Sequence, residues 1–234
     1  MPTGAISNSS GARGNRNEAH SMSYTVKEIY CSIQLEGFHH GRPAVFLRFT
    51  GCNLWSGLER DRQSAICQFC DTDFVGTDGV GGGTFATASE LAGRVAEIWN
   101  AADTYEAARF VVCTGGEPLL QLNEPLVMAL HAEGFEVAVE TNGTREPRVE
   151  VDWLCVSPKA HAPLVATSGD ELKLVYPQAG AEPEKYAELP FTHFYLQPMY
   201  GKEVYRNFEA AREYCRQYPR WQLSVQRQKV VGIA

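Results

Sequence analysis

The stretch that decides the fold runs from Thr50-Gly51-Cys52 to Cys67-Gln68-Phe69-Cys70-Asp71-Thr72 and holds three cysteines within nineteen residues. The last two form a Cys-x-x-Cys hook, a spacing that turns two sulfur atoms toward one metal site. Cys52 directly follows the apolar run 44–49, which predicts a short buried strand. In a parallel α/β sheet, sites are built where strands end, so the sequence predicts that Cys52 belongs to such a site.

Three thiolates form an incomplete ligand set, which leaves two interpretations of this stretch. A structural zinc site is closed by four ligands, so the fourth would have to come from His39, His40 or a later cysteine. A [4Fe–4S] cluster held by three cysteines instead leaves one iron open to a ligand that is not protein. The hook alone does not separate these interpretations.

A second motif favours the cluster. The apolar pattern 109–113 predicts a strand that ends in Thr114-Gly115-Gly116-Glu117-Pro118. Paired glycines let a ligand approach the backbone closely, and we expect the Glu117 carboxylate to hold an ammonium group. A Gly-Gly-Glu turn is common at strand ends, but after a three-cysteine motif it points to cofactor binding.

With these motifs the chain resembles radical S-adenosylmethionine (SAM) enzymes, and most closely the 7-carboxy-7-deazaguanine synthase family. The matching segments follow one another in order over most of the chain. They are 34–37, 48–54, 67–72, 114–118, 140–143, 157–159, 197–199 and 231–233. Most radical SAM enzymes have three residues between the first two cysteines, whereas this chain has fourteen, as do some members of this family. The insert 53–66 is therefore expected to be a loop beside the cluster.

The resemblance implies a radical SAM carbon–nitrogen lyase of queuosine and 7-deazapurine biosynthesis. In that reaction a SAM-derived radical removes hydrogen from C6 of 6-carboxy-5,6,7,8-tetrahydropterin, the ring contracts, and ammonia leaves. The product is 7-carboxy-7-deazaguanine, and SAM is regenerated. The cofactors implied are a [4Fe–4S] cluster, SAM and Mg²⁺. The partners implied are the small pterin substrate, an electron donor such as flavodoxin, and a second copy in a homodimer.

The resemblance also implies the residues of the site. Cys52, Cys67 and Cys70 are expected to hold the cluster, and Thr72 is expected to bind magnesium. The expected SAM contacts are Phe69, Cys70, Asp71, Gly116, Ser157, Pro158, Lys159, Gln197, Pro198, Met199 and Tyr200. The expected substrate contacts are Ile33, Gln34, Leu35, Arg48, Thr114, Glu140 and the C-terminal carboxylate of Ala234. No catalytic residue is assigned beyond these ligands.

Three positions carry an alternative or a departure from the family. Arg48 is the one charge in its strand and needs a partner, which is either the substrate carboxylate or a nearby acidic residue. The Thr72 hydroxyl is suited to a magnesium ion but also to capping a helix. Gln228 precedes Lys229 where the family often has histidine, and glutamine cannot take up a proton near neutral pH.

The amino-acid composition indicates a cellular location and argues against some classes of partner. The chain has 44% hydrophobic and 21% charged residues, with a formal net charge of −7 that argues against nucleic acid as a partner. No apolar run approaches the length of a membrane span. Seven cysteines without a secretory signal favour a reducing, cytoplasmic location. Four of them, Cys31, Cys113, Cys155 and Cys215, are interpreted as buried and structural.

Along the chain, residues 1–21 are polar and predict a disordered tail, or residues upstream of a true start at Met22. Residues 22–234 are predicted to form one radical SAM core domain. It begins with an edge strand at 24–32, and His39 and His40 follow in an exposed loop. The glycine-rich segment 76–84 is predicted to be a flexible connector.

From residue 87 onward, helices and strands alternate. The predicted strands are 109–113, 135–140, 151–156, 171–175, 193–196 and 221–225. The predicted helices start at the capping box Thr87–Glu90, span 119–132 with an end at Gly134, and carry Val204, Phe208, Ala211 and Cys215 on one face. This alternation predicts an α/β fold, an open partial (β/α) barrel with the polar motifs on one rim.

Two other functions are compatible with the cysteine motif by itself. One is a radical SAM activase that generates a glycyl radical on a partner protein. The other is a non-enzymatic zinc-binding module. Arg48, Thr72 and the short C-terminal segment favour a small carboxylated substrate over the activase, and metal analysis would distinguish the zinc module.

Overall fold

The predicted strands combine into one nine-stranded sheet in the computed structural model, which describes Met1 and residues 23–102 and 106–226. The order across the sheet is β3-β1-β2-β4-β5-β6-β7-β8-β9. The strands are β1 (Tyr24–Ile33), β2 (Pro43–Phe49), β3 (Gly83–Phe85), β4 (Phe110–Gly115), β5 (Glu136–Thr141), β6 (Trp153–Val156), β7 (Gly169–Tyr176), β8 (Phe191–Pro198) and β9 (Trp221–Leu223).

The sheet has two free ends, so the barrel that it forms is open. From β2 to β9 all neighbours pair in parallel, while β1 is antiparallel to both β2 and β3. The outermost strands are β3 and β9. The predicted α/β fold with an open partial barrel is therefore confirmed.

Three helices cover the outer face of the sheet: α1 (Ala88–Ala101), α2 (Glu124–Ala132) and α3 (Val204–Gln217). Some of the parallel strands are apolar on both faces, as in β4, where residues 110–113 are all buried. On α1 the buried side includes Leu91 and Val95, as the sequence predicts. This two-layer packing leaves the inner face of the barrel free to form a site.

Two predictions near the start of the barrel are wrong. β1 is not an edge strand, because β3 pairs along its outer side. The segment 76–84 is also no free connector, since the Ile29 amide donates to Val80 O (2.7 Å) and the Gly79 amide to Lys27 O (3.0 Å). A Cβ at Gly82 would overlap the backbone of Lys27. These glycines serve close backbone packing.

The predicted helix 119–132 is shorter than expected. A 3-10 helix spans Pro118–Leu120, and α2 begins only after Asn123. The side chain of Asn123 accepts a hydrogen bond from the Leu126 amide (3.1 Å), and Pro125 lies in the first turn. Both are helix-start signals, so the local sequence sets the boundary. Gly134 ends the helix at φ +80°, as predicted.

The loop 34–41 folds into the end of the barrel where the parallel strands begin. Phe38 stacks on Trp153 with ring centroids 4.8 Å apart, and His39 lies 4.4 Å from the same ring. His39 is half-buried, so its predicted exposure is wrong, whereas His40 is exposed as expected. The reason is that aromatic side chains at the strand starts offer His39 an apolar site. The loop thereby closes one end of the barrel.

Several expectations concern residues outside the described part of the chain. They are the polar tail from residue 2 to residue 21, Gln228, Lys229 and Ala234.

Within residues 23–102 and 106–226, no helix combines the length and apolar character needed to cross a membrane. All seven cysteines are free thiols, with Cys113 and Cys155 buried and Cys31 and Cys215 half-buried.

The cap of α1 provides a test of the local folding signals. The Thr87 hydroxyl accepts a hydrogen bond from the Glu90 amide (3.1 Å), so Thr87→Ala leaves that donor unpaired. We expect the free energy of unfolding to fall by about 1 kcal/mol in urea titrations. Ser89→Ala, two residues after Thr87 and also exposed, is the control and should cause no loss.

Candidate active site

The open rim of the barrel holds a cavity of about 290 Å³ at the carboxyl ends of the strands. Nearly all the predicted site residues line it. They are Ile33, Gln34, Leu35, Arg48, Cys52, Cys67, Phe69, Cys70, Asp71, Thr72, Thr114, Gly116, Glu140, Ser157, Lys159, Gln197, Pro198, Met199 and Tyr200. Pro158 is buried beside the cavity, where its carbonyl oxygen accepts from Gln178 Nε2 (3.4 Å). Ala234 is outside the described residues.

The three motif cysteines meet at one side of this cavity. The Leu54 amide donates to Cys52 Sγ (3.4 Å), and Cys67 and Cys70 share a hydrogen bond. That bond from Cys67 lowers the pKa of Cys70 to about 6, helped by the amide and hydroxyl of Thr72. The same bond, together with burial, raises the pKa of Cys67. One thiolate of the hook is therefore stabilised near neutral pH.

The donor set is of the type that holds an iron–sulfur cluster. Cys52, Cys67 and Cys70 all face one cavity, and cysteine thiolates are the usual ligands of [4Fe–4S] clusters. Within residues 23–102 and 106–226, no group of three His, Cys, Asp or Glu side chains is arranged to hold a single metal ion.

The paired glycines of the Gly-Gly-Glu turn also serve close backbone packing. A Cβ at Gly116 would overlap the carbonyl oxygen of Gly51 and come within 2.9 Å of Cys52 Cβ. Gly115 has φ +135° and lies equally close to the backbone of Phe49. The paired glycines therefore bring the strand end against the loop that carries Cys52, while Gly116 still lines the cavity.

Glu117 is fully buried, so the expectation that it holds a ligand's ammonium group is wrong. Its carboxylate accepts hydrogen bonds from the amides of Leu119 (2.9 Å) and Asn142 (2.8 Å) and from the Thr141 hydroxyl (2.8 Å). Burial raises the pKa of Glu117, and these three donors oppose that shift. The physical reason for the correction is that the turn points the side chain into the protein, toward the end of β5.

Arg48 has an internal partner. Its Nε donates to Glu28 Oε1 (2.7 Å) and one Nη donates to the Tyr30 hydroxyl (3.1 Å). Both contacts run across the β1–β2 pair, on the inner face of the barrel. The structural alternative for Arg48 is therefore observed, and the ion pair orients a guanidinium that still lines the cavity.

Two further groups on the rim are suited to bind a polar ligand. Gln197 is 7% exposed, and its Oε1 has no hydrogen-bond partner within the described residues. Such an acceptor calls for a donor from a bound molecule. Lys159 Nζ donates to the backbone and hydroxyl oxygens of Ser157 (2.6 and 2.7 Å), and burial lowers its pKa.

The opposite wall holds a buried charge cluster that the sequence analysis missed. Lys173 Nζ lies 2.9 Å from Glu36 Oε2 and 3.1 Å from Glu140 Oε1. Gln34 donates to Glu140 (3.2 Å), and Gln226 donates to Glu36 (3.0 Å). Burial lowers the pKa of Lys173, but the two carboxylates outweigh it and hold the pKa well above its usual value.

A signal for this cluster is present in the sequence. Glu171 and Lys173 alternate with leucines in β7, so a charged pair occupies one face of a buried strand. The argument that singled out Arg48, a charge that needs a partner inside an apolar strand, applies equally to both. The partners themselves come from the loop after β1 and from β5, which no local pattern connects to β7.

Known proteins with similar sequences share one description. A 7-carboxy-7-deazaguanine synthase from Caulobacter vibrioides is 57% identical over 91% of this chain and all of its own length. The enzyme of the same name from Bordetella pertussis is 56% identical over the same shares. The crystal structure of QueE from Escherichia coli matches with TM-score 0.63 and 26% identity, over 88% of this chain and 94% of that one. No protein-family model matches the chain.

The buried carboxylate of Glu117 gives a test of how the rim is held together. In Glu117→Gln, an NH₂ group replaces one of the two carboxylate oxygens. This donor then faces a backbone amide or a hydroxyl that also donates, so a buried hydrogen bond is lost. We expect the free energy of unfolding to fall by about 2 kcal/mol in denaturant titrations. Glu133→Gln, an exposed carboxylate just after α2, is the control. Equal stability of the two variants would contradict the assignment.

Proposed function

The chain belongs to the 7-carboxy-7-deazaguanine synthase family, and from this premise we infer the chemistry of its cavity. It is a radical SAM lyase of queuosine biosynthesis that converts 6-carboxy-5,6,7,8-tetrahydropterin to 7-carboxy-7-deazaguanine with loss of ammonia. The observation that carries this function is full-length identity of 57% to a named synthase, with the matching motifs around one cavity. No observation favours a glycyl-radical activase or a zinc module.

We assign the cluster to Cys52, Cys67 and Cys70, which face the cavity from one side. When bound, the cluster and SAM supply the one-electron chemistry that starts the reaction. The protein binds and orients SAM: Gly116 lies against its methionine end, Ser157 and Lys159 offer a hydroxyl and a cation, and Gln197 Oε1 accepts a hydrogen bond. Phe69, Asp71 and the segment 198–200 complete that wall.

The substrate is assigned to the opposite half of the cavity. The Arg48 fork, held in place by Glu28, offers N–H donors to the pterin carboxylate. Glu140, held by Gln34 and Lys173, offers acceptors to the N–H groups of the ring. Ile33 and Leu35 provide apolar contact, and Thr114 provides a hydroxyl. Such groups fix orientation at no cost during the reaction because they are already arranged.

The remaining assignments concern magnesium and partners. The Thr72 hydroxyl donates to Cys70, which leaves oxygen lone pairs for a hard cation such as Mg²⁺. An electron donor such as flavodoxin and a homodimer follow from family membership. The free thiols suit a reducing compartment such as the cytoplasm. Residues 22–234 are proposed to be one core domain.

An anaerobic assay tests the function. The protein is reconstituted with iron and sulfide, then supplied with SAM, reductant, Mg²⁺ and 6-carboxytetrahydropterin, and 7-carboxy-7-deazaguanine is detected by mass. Product is expected with the unaltered protein and none with Cys67→Ala, because the hook loses a ligand. Cys215→Ala, a half-buried cysteine on α3, is the control and should retain turnover. Deoxyadenosine without the pterin product would refute the substrate.

The Lys173 cluster supplies a second test. Lys173→Met leaves the carboxylates of Glu36 and Glu140 buried without a cation. We expect the free energy of unfolding to fall by about 3 kcal/mol and kcat/KM for the pterin to fall with it. Lys185→Met, whose side chain is 55% exposed in an outer ion pair, is the control. Matching values for the two variants would rule out a role for Lys173 in the site.

A further inference from the structure

We propose that Arg62, in the fourteen-residue insert, is a positioning residue that fixes the hook of Cys67 and Cys70 and places a positive charge beside the cluster. The inference rests on the cluster assignment above. It gives the insert a function: the insert supplies the outer support of the cluster ligands. Arg62 acts through the backbone of the hook and does not bind the cluster itself.

The guanidinium of Arg62 spans the hook. Its Nη1 donates to Gln68 O, between the two cysteines, and to Cys70 O, both at 2.9 Å. These two carbonyl groups set the direction of the chain on either side of Cys70. A single planar group that binds both therefore restricts the turn that aims the two sulfurs.

Other contacts hold Arg62 itself in place. Its guanidinium carbon lies 4.0 Å from the centre of the Trp55 ring, and Trp55 in turn packs edge-on against the buried Phe74. Glu59 binds the far side of the guanidinium through both carboxylate oxygens. A guanidinium fixed by a ring, a carboxylate and two carbonyls has little freedom, which is what a support for a metal ligand requires.

The insert contacts the hook at further points. The amides of Ile66 and Cys67 both donate to Leu54 O (3.1 and 3.3 Å), which closes the insert into a loop just before the first hook cysteine. Gln68 Nε2 donates to Gln63 O (3.0 Å). The 3-10 helix Glu59–Ser64 is therefore built onto the hook, with Arg62 as its charged contact.

The charge of Arg62 has its own consequence. The guanidinium interacts electrostatically with Cys67 and Cys70. A cluster gains negative charge on reduction, so a nearby cation favours the reduced state and raises the reduction potential. Arg62 thus combines two effects, one on the geometry of the ligands and one on the potential, and suitable variants separate them.

The experiment compares Arg62→Met and Arg62→Lys with Arg60→Met. Arg60 lies in the same 3-10 helix, is 78% exposed, and its guanidinium contacts Asp61 at 3.7 Å, so its loss removes an equal charge without touching the hook. Each reconstituted protein is measured for iron loss to a chelator and for cluster midpoint potential by electron paramagnetic resonance. Thermal unfolding of each variant confirms that it is folded.

We expect Arg62→Met to lose iron about tenfold faster than the unaltered protein and to show a more negative potential, with Arg60→Met unchanged. Arg62→Lys keeps the charge without the planar fork, so its potential should stay near the original while its iron loss is still accelerated. Equal iron loss and equal potential in Arg62→Met and Arg60→Met would overturn the proposal.

Hydrogen exchange in the metal-free protein makes the test independent of cluster assembly. Arg62→Met should speed exchange at the amides of residues 67–72, and Arg60→Met should not. If the unaltered protein takes up no cluster, the cofactor assignment fails, while the exchange result still decides whether Arg62 holds the hook. Unchanged exchange in Arg62→Met refutes that contact.

Discussion

The buried carboxylate of Glu117 is the interaction on which the rim of this barrel depends. It accepts three hydrogen bonds, two of which tie the end of β4 to the end of β5, and the backbone amide of Glu117 donates to Gly51 O (2.9 Å). The loop with Cys52 is therefore held by a residue whose side chain is buried beside the cavity and not part of its lining. Burying a charged carboxylate away from water costs free energy, and the three hydrogen-bond donors offset that cost. The ends of β4 and β5 and the loop with Cys52 all depend on hydrogen bonds to this one residue.

The fold could be predicted because interior parallel strands are continuous apolar runs, and the rim could be predicted because such strands end at one edge. The inner charge cluster could not. Lys173 and Glu36 are 137 residues apart, and they meet only because the loop 34–41 folds into the barrel. That fold requires Gly37, which has φ +63° and where a Cβ would overlap the Glu171 carboxylate. The charge cluster is formed by tertiary contacts, so no short segment of the sequence contains all of its residues.

The glycines of the segment 76–84 were misread as marks of a flexible connector, because glycine suggests chain freedom when the sequence is read alone. In the fold, Gly82 and Gly116 are places where two backbones touch. Glycine allows both mobility and close approach, so the sequence cannot distinguish them until the neighbouring backbone is known. The cysteine motif allows fewer interpretations, because thiolate chemistry limits what its spacing can mean.

The stack of Phe38, His39 and Trp153 determines from which side a ligand can reach the cavity. The space beneath the charged wall is only about 10 Å³, enough for one water molecule at most. Gln34, Glu36 and Glu140 border both this space and the cavity, so they form its floor. The barrel is therefore closed to ligands at this end, and any molecule that contacts Glu36 and Glu140 reaches them from the rim.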